Sequence, residues 1–198
     1  MNERKSERVN ERSLPDDVVP DGIRPFTRSH SHSLVLLFGS NLGDRVMTLR
    51  RAADLVTDRI GVVTQQSDLY ETAPWGLLDQ PSFLNQVLVI ETPLTPEAIL
   101  QQTQEIEQEL GRVQREKWGA RAIDIDILYY DQLIQQTDRL VIPHPYLHQR
   151  RFTLVPLTQI APDFIHPVLC KTSTELLAAC EDTSEVSIFN LPKNSPLR

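Results

Sequence analysis

No apolar run in this chain approaches the ~18 residues that a membrane-crossing helix needs, so the sequence predicts no membrane span. Cysteine is scarce, with Cys170 and Cys180 alone among 198 residues. They do not form a CxxC pair, which argues against a thiolate zinc site or a dithiol redox centre. Both read as reduced thiols of a cytoplasmic protein. Glycine is scarce too: seven in all, none set in G-x-x-x-x-G-K-[ST] or G-x-G-x-x-G. That leaves out the P-loop and Rossmann phosphate cradles. No H-E-x-x-H and no G-x-S-x-G occur, so nothing points to a zinc peptidase or a serine nucleophile. Positive charge is also short: 20 Lys and Arg stand against 27 Asp and Glu, a net charge of -7. A general nucleic-acid or acidic-membrane partner is therefore not expected, and an anionic substrate would need a local basic patch.

The length suits one domain with a real core. Residues 1–33 read as an appendage with Asn-Glu-Arg repeats, scattered prolines and Arg28-Ser-His-Ser-His-Ser33. No apolar stretch makes the segment a secretory signal, and its acids (Glu3, Glu7, Glu11, Asp16 and Asp17) do not suit a transit peptide. A disordered tail is expected there, followed by a folded domain over 34–180 and a C-terminal tail over 181–198.

Leu34-Val-Leu-Leu-Phe38 reads as a buried strand. Asn41 is expected to cap a helix with Asp44 in a box-like role, its stripe being Val46, Leu49, Ala53, Val56 and Ile60, with Gly61 as the stop. Val62–Glu71 and Phe83–Thr92 read as strands around a Pro- and Gly-rich loop. Thr95-Pro96-Glu97 starts a second helix, striped by Ile99, Thr103, Ile106 and Leu110 and ended by Gly111. Ala122–Tyr130 is a further strand with a short hairpin partner near Leu133–Gln136. Pro143, Pro145 and Pro156 break up the next stretch, and Thr172 with Glu175 caps a last helix. The order β-α-β-β-α-β with a C-terminal extension gives the α+β class, as a ferredoxin-like core with helices packed on a mainly antiparallel sheet. That fold alone would not specify an activity.

The chemistry concentrates in Ala122-Ile-Asp-Ile-Asp-Ile-Leu128. Alternation on a strand sends Ile123, Ile125 and Ile127 to one face and Asp124 and Asp126 to the other, with Cα atoms about 7 Å apart. Adjacent carboxylates repel unless a cation joins them. Hard oxygen ligands suit Mg²⁺, which keeps its other positions for water and phosphate oxygens. The same pattern would also serve as a solvent-facing polar stripe on an edge strand. Arg112, Arg115, Lys117, Arg121, Arg139, Arg150 and Arg151 crowd into residues 112–151 of an acidic chain. Arginine suits bidentate phosphate contact, so the pair and the patch together suggest a Mg-nucleotide site; solvated surface charge is the alternative. His144 and His148 are four apart, but the flanking prolines make His144 a structural or ATP-contacting residue rather than a zinc ligand. Phe83 and Asn85 share a strand face after the loop Thr72–Ser82, and an aromatic ring with an amide suits a flat polar heterocycle. A core Phe beside a turn Asn would look the same.

Taken together, Phe38-Gly-Ser-Asn-Leu42, Tyr70-Glu-Thr-Ala-Pro74, Asp79-Gln-Pro-Ser-Phe-Leu-Asn85, Gly111-Arg-Val113, Trp118-Gly-Ala-Arg-Ala-Ile-Asp-Ile-Asp-Ile127 and Ile142-Pro-His-Pro145 running on to Arg150-Arg-Phe152 resemble the 6-hydroxymethyl-7,8-dihydropterin pyrophosphokinase family. The motifs fall in the family's order over about residues 34–168. The resemblance implies an enzyme of folate biosynthesis that transfers diphosphate from ATP to the pterin's hydroxymethyl group and releases AMP. It implies two Mg²⁺ ions on Asp124 and Asp126. Phe83 and Phe152 would sandwich the pterin, and Asn85 and the backbone of Thr72, Ala73, Pro74 and Trp75 would read its edge. Gln104, Glu107, Arg115, Ile127, Arg139, His144 and Arg150 would line the ATP site. Arg112, Arg121 and Trp118 would sit on loops over both substrates, with Arg112 and Arg121 catalytic. Ala120 stands where the family usually has Pro, and Gln114 where it often has Arg, a role that passes to Arg115. The expected form is a cytoplasmic monomer whose partners are ATP and the pterin.

Overall fold

The structure, a computed structural model, describes residues 31–73, 80–111 and 121–190. Its centre is the first strand, β1 (His32–Ser40). All of Leu34, Val35, Leu36, Leu37 and Phe38 are buried, as the continuous apolar run requires of a strand covered on both faces. β1 pairs antiparallel with β4 (Phe83–Thr92) on one side and β5 (Asp124–Tyr130) on the other. β4 also carries β2 (Val62–Gln66) and β3 (Tyr70–Thr72) on its far edge. Every pairing is antiparallel, and the order β5-β1-β4 followed by the β2 and β3 strands is the expected ferredoxin-like arrangement.

Alternation along β1 divides the core. Leu34, Leu36 and Phe38 join Ile123, Ile125 and Ile127 under helices α1 (Arg45–Arg59) and α2 (Pro96–Glu109). Val35 and Leu37 face the other way, toward Leu154 and Leu157 of α3 (Arg151–Ile160) and Leu176 of α4 (Ser173–Ala178). The helices thus lie on both faces, but α3 and α4 cover only part of theirs. Asp126 stands opposite Leu37 at the edge of this second cluster, and Gly39 and Asp124 lie two residues further along the strands.

Several local expectations need correction. Asn41 does not cap α1; Asp44 does, its carboxylate accepting from the Met47 N–H. Gly61 does not end that helix through a left-handed turn. A Cβ there would lie 2.1 Å from the Glu91 carbonyl oxygen, so the requirement is close backbone approach. The strand expected over Val62–Glu71 is two strands, interrupted where buried Ser67 takes over the ladder. Its N–H donates to the Val87 carbonyl, and its hydroxyl accepts from the Val87 N–H. The partner expected for β5 near Leu133–Gln136 pairs elsewhere: β6 (Gln135–Gln136) joins β7 (Val141–Ile142) in a separate ribbon. Thr137 closes it by hydrogen bonding to Leu140. Pro156 does not break the chain but sits inside α3. Its ring costs the bond to the Phe152 carbonyl, and the buried Thr153, Leu154, Pro156 and Leu157 hold the helix against the sheet.

The expected boundaries also shift. His32 and Ser33, assigned to the N-terminal tail, begin β1 and are clasped by Asp131. Within the expected C-terminal tail 181–198, Val186–Ile188 forms β8, which pairs with β3 as a strand of the main sheet. The expected tail over residues 1–30 lies outside the described residues. By contrast, Thr95 with Pro96 starts α2, and Thr172 with Glu175 forms a complete capping box on α4. No helix among the described residues is long and apolar enough to cross a membrane.

Candidate active site

β5 places Asp124 opposite Gly39, and Asp126 opposite Leu37. Gly39 in turn lies opposite Asn85 of β4. Alternation therefore puts the two carboxylates and the Asn85 amide on one face, with a glycine between them. Space above the glycine is tight: an added Cβ would come within 3.2 Å of Asn85 Oδ1, which would have to give way by a few tenths of an ångström, and 3.9 Å of the Phe83 ring. Asn85 is buried, and its Nδ2 donates to the Thr72 hydroxyl at 2.8 Å. That bond fixes the amide plane and aims its oxygen toward Gly39. Phe83 is partly buried on the same strand face, and Ala73 is exposed.

Asp124 and Asp126 are both partly buried, as the polar face of β5 requires. Arg121 Nη1 lies 2.8 Å from Asp124 Oδ2. Arg121 Nε is buried with no acceptor among the described residues, leaving one donor of the guanidinium for something else. Arg150 stands close enough for both aspartates to act on it. Burial lowers its pKa, while the charges of Asp126 and then Asp124 oppose that change. Its guanidinium lies 5.4 Å from the Tyr146 ring centroid and 5.7 Å from that of Phe152, within cation–π range. His144 is pushed down to about 4, first by burial and then by the Arg150 cation, against the pull of Asp124. It is neutral at physiological pH. Its Nδ1 accepts from the Tyr146 N–H at 3.3 Å, so Nε2 carries the proton and can donate outward.

Beside the carboxylates opens a cleft of about 270 Å³. Asp126, Ile127, Arg139 and His144 line it, joined by Leu100 and Asp138. Three of the residues expected to contact ATP are therefore together. Glu107 is placed differently: it is buried on α2, and its carboxylate accepts from the Ile125 N–H at 2.7 Å. It holds the backbone between the two aspartates rather than the cleft wall. Gln104 is exposed on the same helix and is not among the cleft residues. Pro74, Trp75, Arg112, Arg115 and Trp118 lie outside the described residues.

Sequence reasoning missed Asn41 as a site organiser. This buried side chain accepts from the Arg121 N–H at 2.8 Å. It also donates to Gln80 Oε1 and to the Pro81 carbonyl, each at 3.2 Å. Its place in a helix-start pattern hid that role, which only the approach of three separate segments creates. Leu100 and Asp138 were missed as well; neither stands in a motif, and only folding brings them to the cleft.

Among the described residues no group of three or more His, Cys, Asp or Glu could hold a metal ion. The donor set is a carboxylate pair with cations close by. That suits a hard divalent ion which takes its other ligands from water and phosphate, rather than a closed protein cage.

Residues 35–162 match the family model described as 7,8-dihydro-6-hydroxymethylpterin-pyrophosphokinase. The 2-amino-4-hydroxy-6-hydroxymethyldihydropteridine pyrophosphokinase of Methylorubrum extorquens is 45% identical over 129 residues, covering 64% of this chain and 81% of that one. The protein of the same name from Aquifex aeolicus is 39% identical over 143 residues, covering 72% and 89%. Among solved structures, wild-type Plasmodium falciparum HPPK-DHPS with pteroate superposes with a TM-score of 0.64 at 18% identity. The match covers 75% of this chain and 44% of that one, and shows a shared fold.

Proposed function

The chain belongs to the 7,8-dihydro-6-hydroxymethylpterin-pyrophosphokinase family, and from that premise we propose how its residues divide the work. The reaction is transfer of diphosphate from ATP to 6-hydroxymethyl-7,8-dihydropterin in folate biosynthesis. The hydroxymethyl oxygen bonds to the β-phosphorus, and the bond from that phosphorus to the bridging α–β oxygen breaks. The electron pair leaves with AMP, and the hydroxyl proton is released.

The observation that carries the assignment is the row Asp124–Gly39–Asn85 across three strands. It sets a carboxylate pair beside an oriented amide on one sheet face, with a cleft on the carboxylate side. ATP occupies that cleft, its polyphosphate directed toward Asp124 and Asp126. His144 donates from Nε2, and Arg139 and Arg150 supply positive charge. Ile127 gives an apolar wall. Gln104 and Arg115 were also expected at this site; Gln104 would have to reach in from an exposed position. Glu107 acts through the Ile125 N–H. Asp124 and Asp126 would hold Mg²⁺, two ions in the fullest form of the reading, which when bound offsets phosphate charge and aligns the oxygens for displacement.

The pterin lies against Phe83 and Phe152. Asn85 and the backbone at Thr72, Ala73, Pro74 and Trp75 read its edge, and Trp118 packs nearby. Arg121 and Arg112 act on charge that shifts to the bridging oxygen during transfer. Arg121 pairs with Asp124, so its approach to phosphate requires that ion pair to be shared or exchanged. The direct test is AMP release in the presence of ATP, Mg²⁺ and the reduced hydroxymethyl-pterin. Pterin-dependent AMP formation is expected, and an equal rate without pterin would defeat the reading.

A further inference from the structure

We propose that the C-terminal segment Asp182–Phe189, which lies beyond the residues matched to the family, is a positioning element that braces the pterin side of the site. The inference rests on the pterin assignment above and adds to it a part of the chain that contributes no direct contact.

Three separate contacts support it. First, β8 pairs with β3, and Val186 stands opposite Thr72. β3 is three residues long and would otherwise be an edge strand. With β4 on one side and β8 on the other, the Thr72 backbone is held from both edges. Thr72 is the partner that orients Asn85.

Second, Asp182 caps α3 from 31 residues downstream. The residue at the helix's own N-cap position, Arg150, makes no capping bond with its side chain and has no acceptor to offer. Asp182 Oδ2 accepts from the Arg151 N–H at 2.9 Å, while Oδ1 accepts from the N–H and hydroxyl of Ser184. The first turn of α3, which carries Phe152, is thereby fixed, and the Arg150 side chain is left to the carboxylates and rings around it.

Third, the Phe189 N–H donates to the Leu69 carbonyl at 2.7 Å, and the Phe189 ring lies 5.6 Å from the Arg45 guanidinium. Arg45 Nη1 reaches Glu71 Oε1 at 2.8 Å and the Ser82 carbonyl at 2.7 Å. Ser82 directly precedes Phe83. The segment therefore touches the supports of Thr72, Phe152 and Phe83, the three points that would enclose a flat ring. An enclosing site depends on such support, because small misplacements of binding groups carry large costs.

The test compares the full chain with one ending at Cys180, one ending at Asn190, and the variants Asp182→Ala, Asp182→Asn and Arg45→Met. Pterin and ATP-analogue dissociation constants are measured with the pterin-dependent rate, well below each melting temperature. The Cys180-ended chain, Asp182→Ala and Arg45→Met should each weaken pterin binding about five- to tenfold, in line with loss of a cap or a part-buried charged hydrogen bond. ATP-analogue binding should weaken at least threefold less than pterin binding does. Asp182→Asn, which keeps an accepting oxygen, should recover most of the loss, and the Asn190-ended chain should match the full chain. If the point variants melt lower yet bind pterin as the full chain does, the segment is only structural and the proposal fails. Equal weakening of both ligands also overturns it. A full chain that binds no pterin would instead refute the site assignment on which the proposal stands.

Discussion

Arg121 shows how much a single residue's role depends on its neighbours. Its guanidinium is tied to Asp124, its backbone N–H is held by Asn41, and its Nε is buried with no acceptor among the described residues. A donor so placed strengthens most when phosphate charge moves toward it. Arg121→Ala should therefore lower kcat by about two to three orders of magnitude, with much less effect on ATP affinity. Arg121→Lys should recover only part, lacking the planar fork. Single-turnover rates set beside equilibrium binding decide this. If ATP affinity falls as far as the chemical step slows, Arg121 anchors ATP and does not act on the transition state. Gly39 offers a sharper steric test. A Cβ 3.2 Å from Asn85 Oδ1 must displace that amide, so Gly39→Ala should raise the pterin dissociation constant about tenfold while ATP-analogue binding stays near wild type. Titration calorimetry with each ligand would show it. Unchanged pterin affinity would mean Asn85 does not read the ring.

At the scale of elements, the N-terminal strand has an anchor that its sequence does not advertise. Asp131, held at φ 47, accepts from His32 Nδ1 at 2.7 Å and from the Ser33 N–H at 2.8 Å, and its own N–H donates to the Ser33 carbonyl at 2.7 Å. The His32 ring also stacks on Tyr130. A chain starting at Ser31 should keep the stability and turnover of the full chain. One starting at Leu34 should melt several degrees lower, since losing about 1 kcal/mol moves a domain of this size by ~2–4 °C. Identical melting of the two would show the clasp to be idle. α3 makes a related point. Its internal Pro156 and lack of a local cap concealed it from the sequence, yet the buried side chains along it and the cap that Asp182 supplies as acceptor hold it in place.

For the molecule as a whole, acid sensitivity should be seated partly in the site. His144 titrates near 4 when folded, below its ordinary 6.5, because burial and the Arg150 cation disfavour its charge. Above about 6.5 both folded and unfolded chains carry it neutral, and it adds no pH dependence. As pH falls from 6.5 toward 4, the unfolded chain takes up the proton and the folded one does not, so stability is lost across that window. Replacing the ring with a group that does not titrate should flatten that part of the profile. His144→Gln should thus lose less stability than wild type between about pH 6.5 and 4.5 in denaturant melts, the carboxylates contributing alike to both. Parallel curves would show that His144 is protonated in the folded chain. The ferredoxin-like core was legible in the sequence because periodicity is a local property. Five adjacent apolar residues demand a strand covered twice, and alternating Ile and Asp demand one apolar face and one polar face. The same alternation marked Asp124 and Asp126, since chemistry carried by neighbours on one strand needs no tertiary information. The meeting of distant segments was settled only by folding: Asn41 with Arg121 and Pro81, Glu107 with the Ile125 N–H, Asp182 with α3, and β8 with β3. Each of these joins is a single hydrogen-bond partner or a short pairing many residues away. Such a partner leaves no periodic trace along the chain, and its identity is set by where the packed core brings the backbone.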